Sequence, residues 1–292
     1  MLRSEIKSAL SVTGENRANP MADFAIVAET ADYAVVDKPP FLLVHPTKPN
    51  GARTLWDELR NLFAFELANG GQVSIVNRLD RETSGLVLVA KTAAAARRFG
   101  LLMQRQQIAK EYLALVWGWP DWDSHLLDAP LARQGAHGLS AIHLKQTIHP
   151  AGAAARTEFR VERRFQRETS AGREFCLVRV IPLTGRTHQI RVHLASLGHA
   201  LVGDKIYGPN EQWYLRFIET GWTSELEQAL LLPRHALHAS RMVIDGIGAW
   251  GSPLPPDLAG WVPAESGHAK AGPSGGTRFR ASSVRETTPP AG

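Results

Sequence analysis

Cysteine is almost missing from this chain of 292 residues, in which Cys176 is the single example. One cysteine can form neither an intramolecular disulfide nor a cysteine-based zinc site, so both are excluded. The segment around it, Phe-Cys-Leu-Val at residues 175–178, is apolar and predicts a buried strand. A thiol in such surroundings is more often an inert core group than a nucleophile, and we interpret Cys176 in that way.

Long hydrophobic runs are missing as well. No stretch of 18 consecutive apolar residues occurs, which excludes a membrane-spanning helix by the usual length criterion. The first 20 residues contain no apolar core of the kind that a secretory signal has. Together with the single cysteine, these absences predict a cytoplasmic protein without a membrane partner, and we expect a monomer.

Neither sign of charge dominates, because 33 Lys and Arg residues stand against 28 Asp and Glu residues and give a net charge of +5. Hydrophobic residues make up 44% and charged residues 21%, which excludes a wholly disordered or collagen-like chain. A charge of +5 permits a nucleic-acid partner, but a solvated surface explains it equally well.

The sequence predicts one folded segment between two polar ends. Residues 1–21 are polar without a clear period, and we expect a flexible arm there. Residues 264–292 are rich in small and polar residues and contain one aromatic residue, Phe279. They cannot bury enough apolar surface to offset their ordering entropy, so we expect a disordered tail. The folded domain is predicted over residues 22–263.

Hydrophobic patterning within that domain favours strands over helices. Strands are predicted near residues 24–28, 33–37, 72–76, 85–90, 111–117, 157–165 and 174–181. The last two flank Gly172 and are typical of a hairpin. Helices are predicted over residues 93–107, after the N-cap residue Thr92, and over residues 186–197, before Gly198. This mixture predicts an α+β fold with a central mixed or antiparallel β-sheet flanked by helices.

The first segment whose residues could take part in a reaction is Asn-Arg-Leu-Asp-Arg-Glu-Thr-Ser-Gly at residues 77–85, between two apolar strands. A loop held by a sheet is a typical place for a reactive carboxylate, here Asp80. The residues alone leave an alternative open, in which Asp80 only caps the turn by accepting from the amides of Thr83 or Ser84.

The second segment, residues 183–193, leads from a strand through Gly185 into a helix and carries Arg186 and Arg191. Either arginine could equally be a solvated surface residue. His188 and His193 are five residues apart, which does not fit the four-residue spacing of a zinc-binding helix. We therefore predict no metal site.

Residues 77–86 resemble the His-Arg-Leu-Asp-x-x-Thr-Ser-Gly motif of the RluA-type RNA pseudouridine synthases. Further segments match that family in its order, at residues 36–40 (Val-Asp-Lys-Pro-Pro), 110–118 (Lys-Glu-Tyr-Leu-Ala-Leu-Val-Trp-Gly), 185–193 (Gly-Arg-Thr-His-Gln-Ile-Arg-Val-His), 203–208 (Gly-Asp-Lys-Ile-Tyr-Gly) and 237–239 (Leu-His-Ala). The resemblance covers about residues 24–255.

The resemblance implies a pseudouridine-synthase-like catalytic domain over residues 22–263 that isomerises uridine to pseudouridine in rRNA or tRNA. Uracil would be cut from C1′ at N1, turned and rejoined through C5. Bonds broken and formed are alike, so the family needs no metal and no organic cofactor. The sequence likewise contains no Walker loop and no dinucleotide fingerprint.

The same resemblance assigns catalytic residues. Asp80 matches the catalytic aspartate, which either attacks C1′ or takes a proton from the sugar. Arg191 matches the arginine paired with that aspartate, and a guanidinium there favours the ionised carboxylate. Tyr112 matches the tyrosine that lies against the target base and assists loss of the C5 proton, although the pattern alone favours a sheet-packing aromatic. Ile190 matches an apolar position of the uracil pocket.

Binding residues follow in the same way. Arg78 matches an arginine that helps to displace the target nucleotide, which must leave the stack because C1′ is otherwise inaccessible. Phosphate contacts, each with solvated charge as the alternative, are assigned to four residues: Lys38, Arg81, Arg186 and Lys205.

Two departures from the family pattern are visible. Asn77 stands where the family usually has His, which argues against an acid–base role at that position. The roughly 20 residues before Phe24 are too few for the S4 RNA-binding domain of many relatives, so we expect an S4-less member.

Two alternatives belong to other classes of protein. A non-catalytic RNA-binding protein of this fold would be expected to lack Asp80, Tyr112 or Arg191, and all three are present. A two-carboxylate glycoside hydrolase would need a second acid, for which Glu82 is the nearest candidate.

Overall fold

Strands outnumber helices in the fold, which a computed structural model describes for residues 24–46, 51–138 and 140–264. The strands are β1 (Ala25–Glu29), β2 (Tyr33–Lys38), β3 (Ser74–Ile75), β4 (Ser84–Ala90), β5 (Ile108–Trp117), β6 (Ser124–Asp128), β7 (Leu131–Arg133), β8 (Gln146–Ile148), β9 (Arg156–Gln166), β10 (Glu174–Pro182), β11 (Leu237–Ile244) and β12 (Gly248–Gly251). The helices are α1 (Leu55–Leu62), α2 (Ala64–Ala68), α3 (Ala93–Gln104), α4 (Gln189–Ser196), α5 (Gln212–Thr220), α6 (Ser224–Leu230) and α7 (Pro256–Ala259), with a 3₁₀ turn at Gln134–Ala136.

Ten strands form one sheet in the order β1-β2-β4-β11-β5-β10-β9-β6, with β3 beside β4 and β12 beside β11. Strands β4 and β11 pair in parallel, and the other described pairs are antiparallel. Strands β7 and β8 form a separate two-stranded ribbon. This mixed sheet with helices confirms the α+β prediction.

Strand β4 is the most deeply buried strand, and every one of its residues is shielded from solvent. Val87 and Val89 pack into the core on one face of the sheet, while Leu86 and Leu88 pack into the core on the other. The alternation follows from the two-residue period of a strand, and burial on both faces explains why the sequence is continuously apolar there.

Gly85 allows β4 and β11 to meet. Their parallel register covers two residue pairs, Ser84 with His238 and Gly85 with Ala239. Gly85 has φ +110°, and a Cβ at this position would lie 2.3 Å from the carbonyl oxygen of Ala239. Only glycine fits this close approach. The loop before β4 is thereby held against the beginning of β11.

Helix α4 begins later than the sequence predicts. The prediction places its start at Arg186, but the structure has an α-helix over Gln189–Ser196, and His188 adopts a left-handed conformation with φ 55°. The side chain of Gln189 explains the difference, because its Oε1 accepts from the amide of Arg186 and from the hydroxyl of Thr184. These bonds hold residues 184–188 as a loop.

The predictions for α3 and for the strand at residues 72–76 are right in part, and the predicted hairpin is present. Thr92 caps α3 as predicted, but the helix ends at Gln104 because Gln106 takes φ 59°. The predicted hairpin is the β9–β10 pair. The strand predicted over residues 72–76 is reduced to Ser74–Ile75.

Cys176 is fully buried in β10, and burial raises the pKa of its thiol to about 11. The predicted arm, residues 1–21, and the predicted tail from residue 265 onward lie outside the described residues. No helix within the described ranges has the length and apolarity that a membrane span requires.

Candidate active site

A cleft of about 440 Å³ lies between the loop before β4, strand β5, the first residue of β11 and the segment that leads into α4. Its lining comes from residues 76–83, from β5 and from residues 182–191. The two segments that the sequence predicts to carry the catalytic residues, around Asp80 and around Arg191, therefore line one cavity. The loop of Asp80 precedes β4, and Arg191 lies on α4.

Asp80, Arg191 and Asp204 form a chain of charges. Nη1 of Arg191 donates to Oδ2 of Asp80 at 2.9 Å. Nε and Nη2 of the same guanidinium donate to the two carboxylate oxygens of Asp204 at 2.7 and 2.9 Å. Asp204 is fully buried, and its Oδ1 also accepts from the amides of Ile206 and Tyr207. Arg191 is thus fixed from behind by Asp204 and presents one edge to Asp80.

The surroundings keep Asp80 ionised. Burial favours the neutral acid, but the charge and hydrogen bond of Arg191, together with His188 and His235, outweigh burial and lower the pKa of the Asp80 carboxyl below its ordinary value. The side chain of Asp80 retains 29% of its exposure, so the carboxylate is accessible from the cleft. The backbone amide of Thr83 bonds to the carbonyl of Asp80 and closes the turn, which leaves the side chain to Arg191.

Tyr112 lies on β5 in the floor of the cleft and is buried. Burial, with a contribution from the negative charge of Asp80, raises the pKa of its phenol above the ordinary value. The phenol is therefore neutral at physiological pH. Leu79, Ile190 and Leu237 line the same cleft, so apolar side chains share it with the carboxylate of Asp80.

Hydrogen bonds within the protein shape the Asp80 loop. Asn77 is buried, its Oδ1 accepts from the amide of Leu88, and its Nδ2 donates to the carbonyl of Leu86. This fits the expectation that Asn77 has no acid–base role. At the other end of the loop, Thr83 bonds to His235 at 2.7 Å and Ser84 bonds to His238 at 3.0 Å.

Glu82 anchors the loop through contacts that the sequence does not reveal. Its Oε1 accepts from Nζ of Lys205 at 2.8 Å, and its Oε2 accepts from the amide of His235 at 3.1 Å. Burial opposes ionisation, but His235 and Lys205 overcome it and hold the pKa of Glu82 at about 2. Glu82 is therefore an ionised structural group and not a second acid for Asp80.

His188 is the nearest neighbour of Asp80 that the sequence analysis left without a role. Its Nε2 lies 3.9 Å from Oδ2 of Asp80, too far for a hydrogen bond, and its Nδ1 is 2.8 Å from the hydroxyl of Tyr207. That hydroxyl accepts from the amide of Gln146, so its own proton is available for Nδ1. Burial and the charge of Arg191 lower the pKa of His188 to about 4, so the imidazole is neutral.

Helix α4 is fixed to β9 by two polar side chains. Gln189 donates to the carbonyl of Arg156 and to the hydroxyl of Thr157. His193 bonds to the same hydroxyl through Nδ1 at 2.8 Å and to the carbonyl of Ala129 through Nε2 at 3.0 Å. His193 is thus a core histidine. A helix held in this way keeps the direction of Arg191 constant.

The residues assigned to RNA binding divide into two groups. Arg78, Arg81 and Arg186 are exposed, and Arg78 and Arg186 line the cleft. Nε of Arg81 donates to the carbonyl of Phe41, and Nε of Arg186 donates to the carbonyl of Ala154. Both contacts leave the outer nitrogens of the guanidinium groups available.

Lys38 and Lys205 require a correction, because both are buried and bound within the protein. Nζ of Lys38 donates to the carbonyls of Pro39, Leu42 and Arg81, and burial, assisted by Arg234, lowers its pKa to about 7. Nζ of Lys205 binds Glu82 and the carbonyl of Pro233. Both support the Asp80 loop and are not placed to contact a phosphate.

The described residues contain no group of three or more His, Cys, Asp or Glu side chains arranged to hold a metal ion.

Comparison with known proteins identifies the family. The model of the family described as RNA pseudouridylate synthase matches residues 32–196, which include Asp80, Tyr112 and Arg191. The chain belongs to the RNA pseudouridylate synthase family. The RluA-type resemblance predicted from the motifs is therefore confirmed.

Two relatives illustrate the similarity. The "Ribosomal large subunit pseudouridine synthase D" of Nitrosomonas europaea is 36% identical over 244 residues, which cover 82% of this chain and 64% of the relative. The protein of the same name from Escherichia coli K12 is 34% identical over 243 residues, which cover 80% of this chain and 68% of the relative. The chain thus spans about two thirds of the length of these pseudouridine synthases.

Solved structures agree on the fold. "Human RNA Pseudouridylate Synthase Domain Containing 1" superimposes with a TM-score of 0.59 at 25% identity, over 82% of this chain and 87% of that one. "Human RNA Pseudouridylate Synthase Domain Containing 4" gives a TM-score of 0.62 at 22% identity, over 80% and 90%. The mixed sheet is therefore that of a pseudouridylate synthase domain.

Proposed function

We propose that this protein isomerises uridine to pseudouridine in the RNA of the large ribosomal subunit. The observation that carries the proposal is the ion pair between Asp80 and Arg191 in an open cleft, formed by two segments within the family match. The names of the relatives favour ribosomal RNA over tRNA as the substrate. The expected location is the cytoplasm, and the expected form is a monomer.

The reaction needs a carboxylate that is ionised and accessible. Cleavage of the bond between C1′ and N1 places positive character on C1′, and an anion beside it stabilises that charge. Asp80 either attacks C1′ or removes a proton from C2′ of the sugar, and both steps require an ionised carboxylate. Arg191 favours the ionised form of this carboxylate and fixes its direction.

Deuterium at C2′ of the target uridine separates these two roles. Removal of the C2′ proton by Asp80 breaks that bond and slows the reaction with the deuterated substrate. Attack on C1′ leaves the C2′ bond intact and gives nearly equal rates.

The uracil ring is proposed to lie against Tyr112 and Ile190. Both residues line the cleft, and the neutral phenol offers a planar surface without the cost of a buried charge. Because burial holds the proton on the phenol, Tyr112 can assist loss of the C5 proton only while another group takes its own proton. Asp80 is the nearest ionised candidate, since its charge contributes to the raised pKa of Tyr112.

The target nucleotide must leave its stack to reach this cleft, at a cost of about a few kcal/mol. Arg78 is exposed at the rim and makes no hydrogen bond or ion pair with the described residues, so its guanidinium is available to hold the opened backbone. Arg186 lies at the same cleft, and the exposed Arg81 adjoins Asp80 in sequence. We assign both to phosphate contacts.

The glycoside hydrolase alternative lacks support in this geometry. It needs a second carboxylate facing the first across the substrate. Glu82 is bound by Lys205 and His235, and its low pKa of about 2 makes it unsuitable as a general acid.

Pseudouridine mapping of total RNA tests the proposal. RNA from cells with and without the gene is compared, and the gene is then restored in its native form or as Asp80→Asn. We expect one or a few uridines of large-subunit rRNA to lose the modification and to regain it only with the native gene. Loss of pseudouridine from tRNA alone would show that the substrate is tRNA and not large-subunit rRNA. An unchanged map would contradict the proposed function.

A further inference from the structure

Lys110 shares the floor of the cleft with Tyr112. Both lie on β5, two residues apart, so their side chains leave the same face of the sheet, separated by about 7 Å along the strand. Both line the cleft. Glu111, between them, faces the other side and pairs with Arg179 and Arg241.

Lys110 differs from the other four lysines that the structure describes because its ammonium has no oxygen acceptor among the described residues. The other four, Lys38, Lys91, Lys145 and Lys205, each donate to carboxylate or carbonyl oxygens of the protein. The described partner of the Lys110 ammonium is the thioether sulfur of Met103 at 3.9 Å, which is a weak acceptor. Burial without a compensating anion lowers the pKa of Lys110. An anion from outside the chain would relieve that cost.

The turn at Gly185 leaves room for such an anion. A Cβ at this position would meet Nζ of Lys110 at 4.0 Å, with no closer atom, so the glycine leaves the ammonium open towards the cleft. Arg78, Lys110, Arg186 and Arg191 line the cleft together with one carboxylate, that of Asp80. Asp80 is already paired with Arg191, which leaves Lys110, on the same strand as Tyr112, without a carboxylate partner among the described residues.

We propose that Lys110 binds a phosphate oxygen of the RNA strand next to the target uridine. This inference rests on the proposed function and adds a backbone contact that positions the nucleotide beside Tyr112. A phosphate suits the site better than a uracil carbonyl does, because a partly buried ammonium whose described partner is a weak acceptor gains most from a full negative charge.

The salt dependence of RNA binding tests this contact directly. A labelled oligouridylate is titrated with the full chain at several KCl concentrations, and binding is followed by fluorescence anisotropy. Lys110→Met is compared with Lys110→Arg, which keeps the charge. The control is Arg241→Met, which removes a cation from the opposite face of the sheet. Melting temperatures establish that each variant is folded.

Loss of one phosphate contact lowers the slope of log affinity against log salt concentration by about 0.7 for a single strand. We expect this decrease for Lys110→Met, with about tenfold weaker binding at low salt, and wild-type slopes for Lys110→Arg and Arg241→Met. Equal slopes for Lys110→Met and the native protein, or no binding of oligouridylate by the native protein, overturn the proposal. Pseudouridine formation by the native protein is measured separately, so failure of the proposed function is recognised independently.

Discussion

Arg191 donates to Asp80 over 2.9 Å across 111 residues of chain, while its two remaining donor groups hold the buried carboxylate of Asp204. The guanidinium therefore has no freedom to turn away from Asp80. The buried carboxylate of Asp204 thus fixes Arg191, and Arg191 in turn sets the direction and favours the ionisation of the partly exposed Asp80 carboxylate. This makes Asp204 a positioning residue for the proposed chemistry.

Asp204→Asn is expected to destabilise the protein by about 3 kcal/mol, because removal of one partner leaves the buried Arg191 without its full countercharge. Urea denaturation measures the loss. The matched control is Asp123→Asn, whose carboxylate pairs with Arg164 but is 90% exposed, and which we expect to cost less than about 1 kcal/mol. Similar losses for both variants would contradict the role given to Asp204.

Gly85→Ala and Gly100→Ala are expected to change stability in opposite directions. A Cβ at Gly85 would lie 2.3 Å from the carbonyl of Ala239, so this variant should lose at least about 3 kcal/mol or fail to fold. Gly100 lies exposed in α3 with no neighbour near its Cβ position, so alanine there should stabilise by up to about 1 kcal/mol. Soluble yield and the midpoint of urea denaturation measure the two effects. A Gly85→Ala variant as stable as the native protein would contradict the close approach of β4 and β11.

Tyr112→Phe separates the ring from its hydroxyl. The ring keeps its surface beside the base pocket, so RNA affinity should stay near that of the native protein. If the hydroxyl takes part in proton transfer from C5, the maximal rate falls by about 100-fold. Single-turnover kinetics measure this rate. A rate equal to that of the native protein would restrict Tyr112 to packing.

His188→Asn is expected to flatten the acid dependence of stability. The pKa of His188 is about 4 in the folded protein, below its ordinary value of 6.5. Between these values the unfolded chain binds a proton that the folded chain does not, so this contribution is complete above pH 6.5 and is lost as pH falls towards 4. The native protein should lose about 3 kcal/mol more than the variant over this range. Asparagine tolerates the left-handed backbone there.

The pH dependence is measured by urea denaturation at pH 7 and at pH 4. An equal loss in both proteins would show that His188 is not held neutral by the fold.

Asp80 and Arg191 could be predicted from the sequence because each lies in a motif of fixed spacing that a family shares. Their supports could not be predicted in the same way. Asp204 and Glu82 lie within or beside the same motifs, but their roles depend on partners 13 and 123 residues away along the chain. The available signal is an acidic residue, Asp204, separated by Gly203 alone from the apolar pair Leu201 and Val202, which is unusual unless the acid is paired.

The burial of Lys38 and Lys205 could not be predicted from the sequence either. Lys38 is the last residue of β2 and follows Asp37, and Lys205 follows Asp204 in a loop. Such patterns are the same for a solvated lysine and for one enclosed by carbonyl oxygens. The start of α4 differs from the prediction for a related reason, since hydrogen bonds from Thr184 and Arg186 to the side chain of Gln189 hold residues 184–188 as a loop and no helix propensity encodes them. Strands of continuous apolar character, such as β4, were predictable because their composition reflects burial on both faces.

The most direct test of the central claim uses the purified chain, unmodified large-subunit rRNA made by transcription, and pseudouridine detection at single-nucleotide resolution. The native protein should convert a specific uridine without any added cofactor. Asp80→Asn should bind the same RNA with similar affinity and form the product at least about 1000-fold more slowly, because the amide carries no charge to stabilise C1′. Conversion by Asp80→Asn at the native rate would contradict the assignment of Asp80 as the catalytic carboxylate.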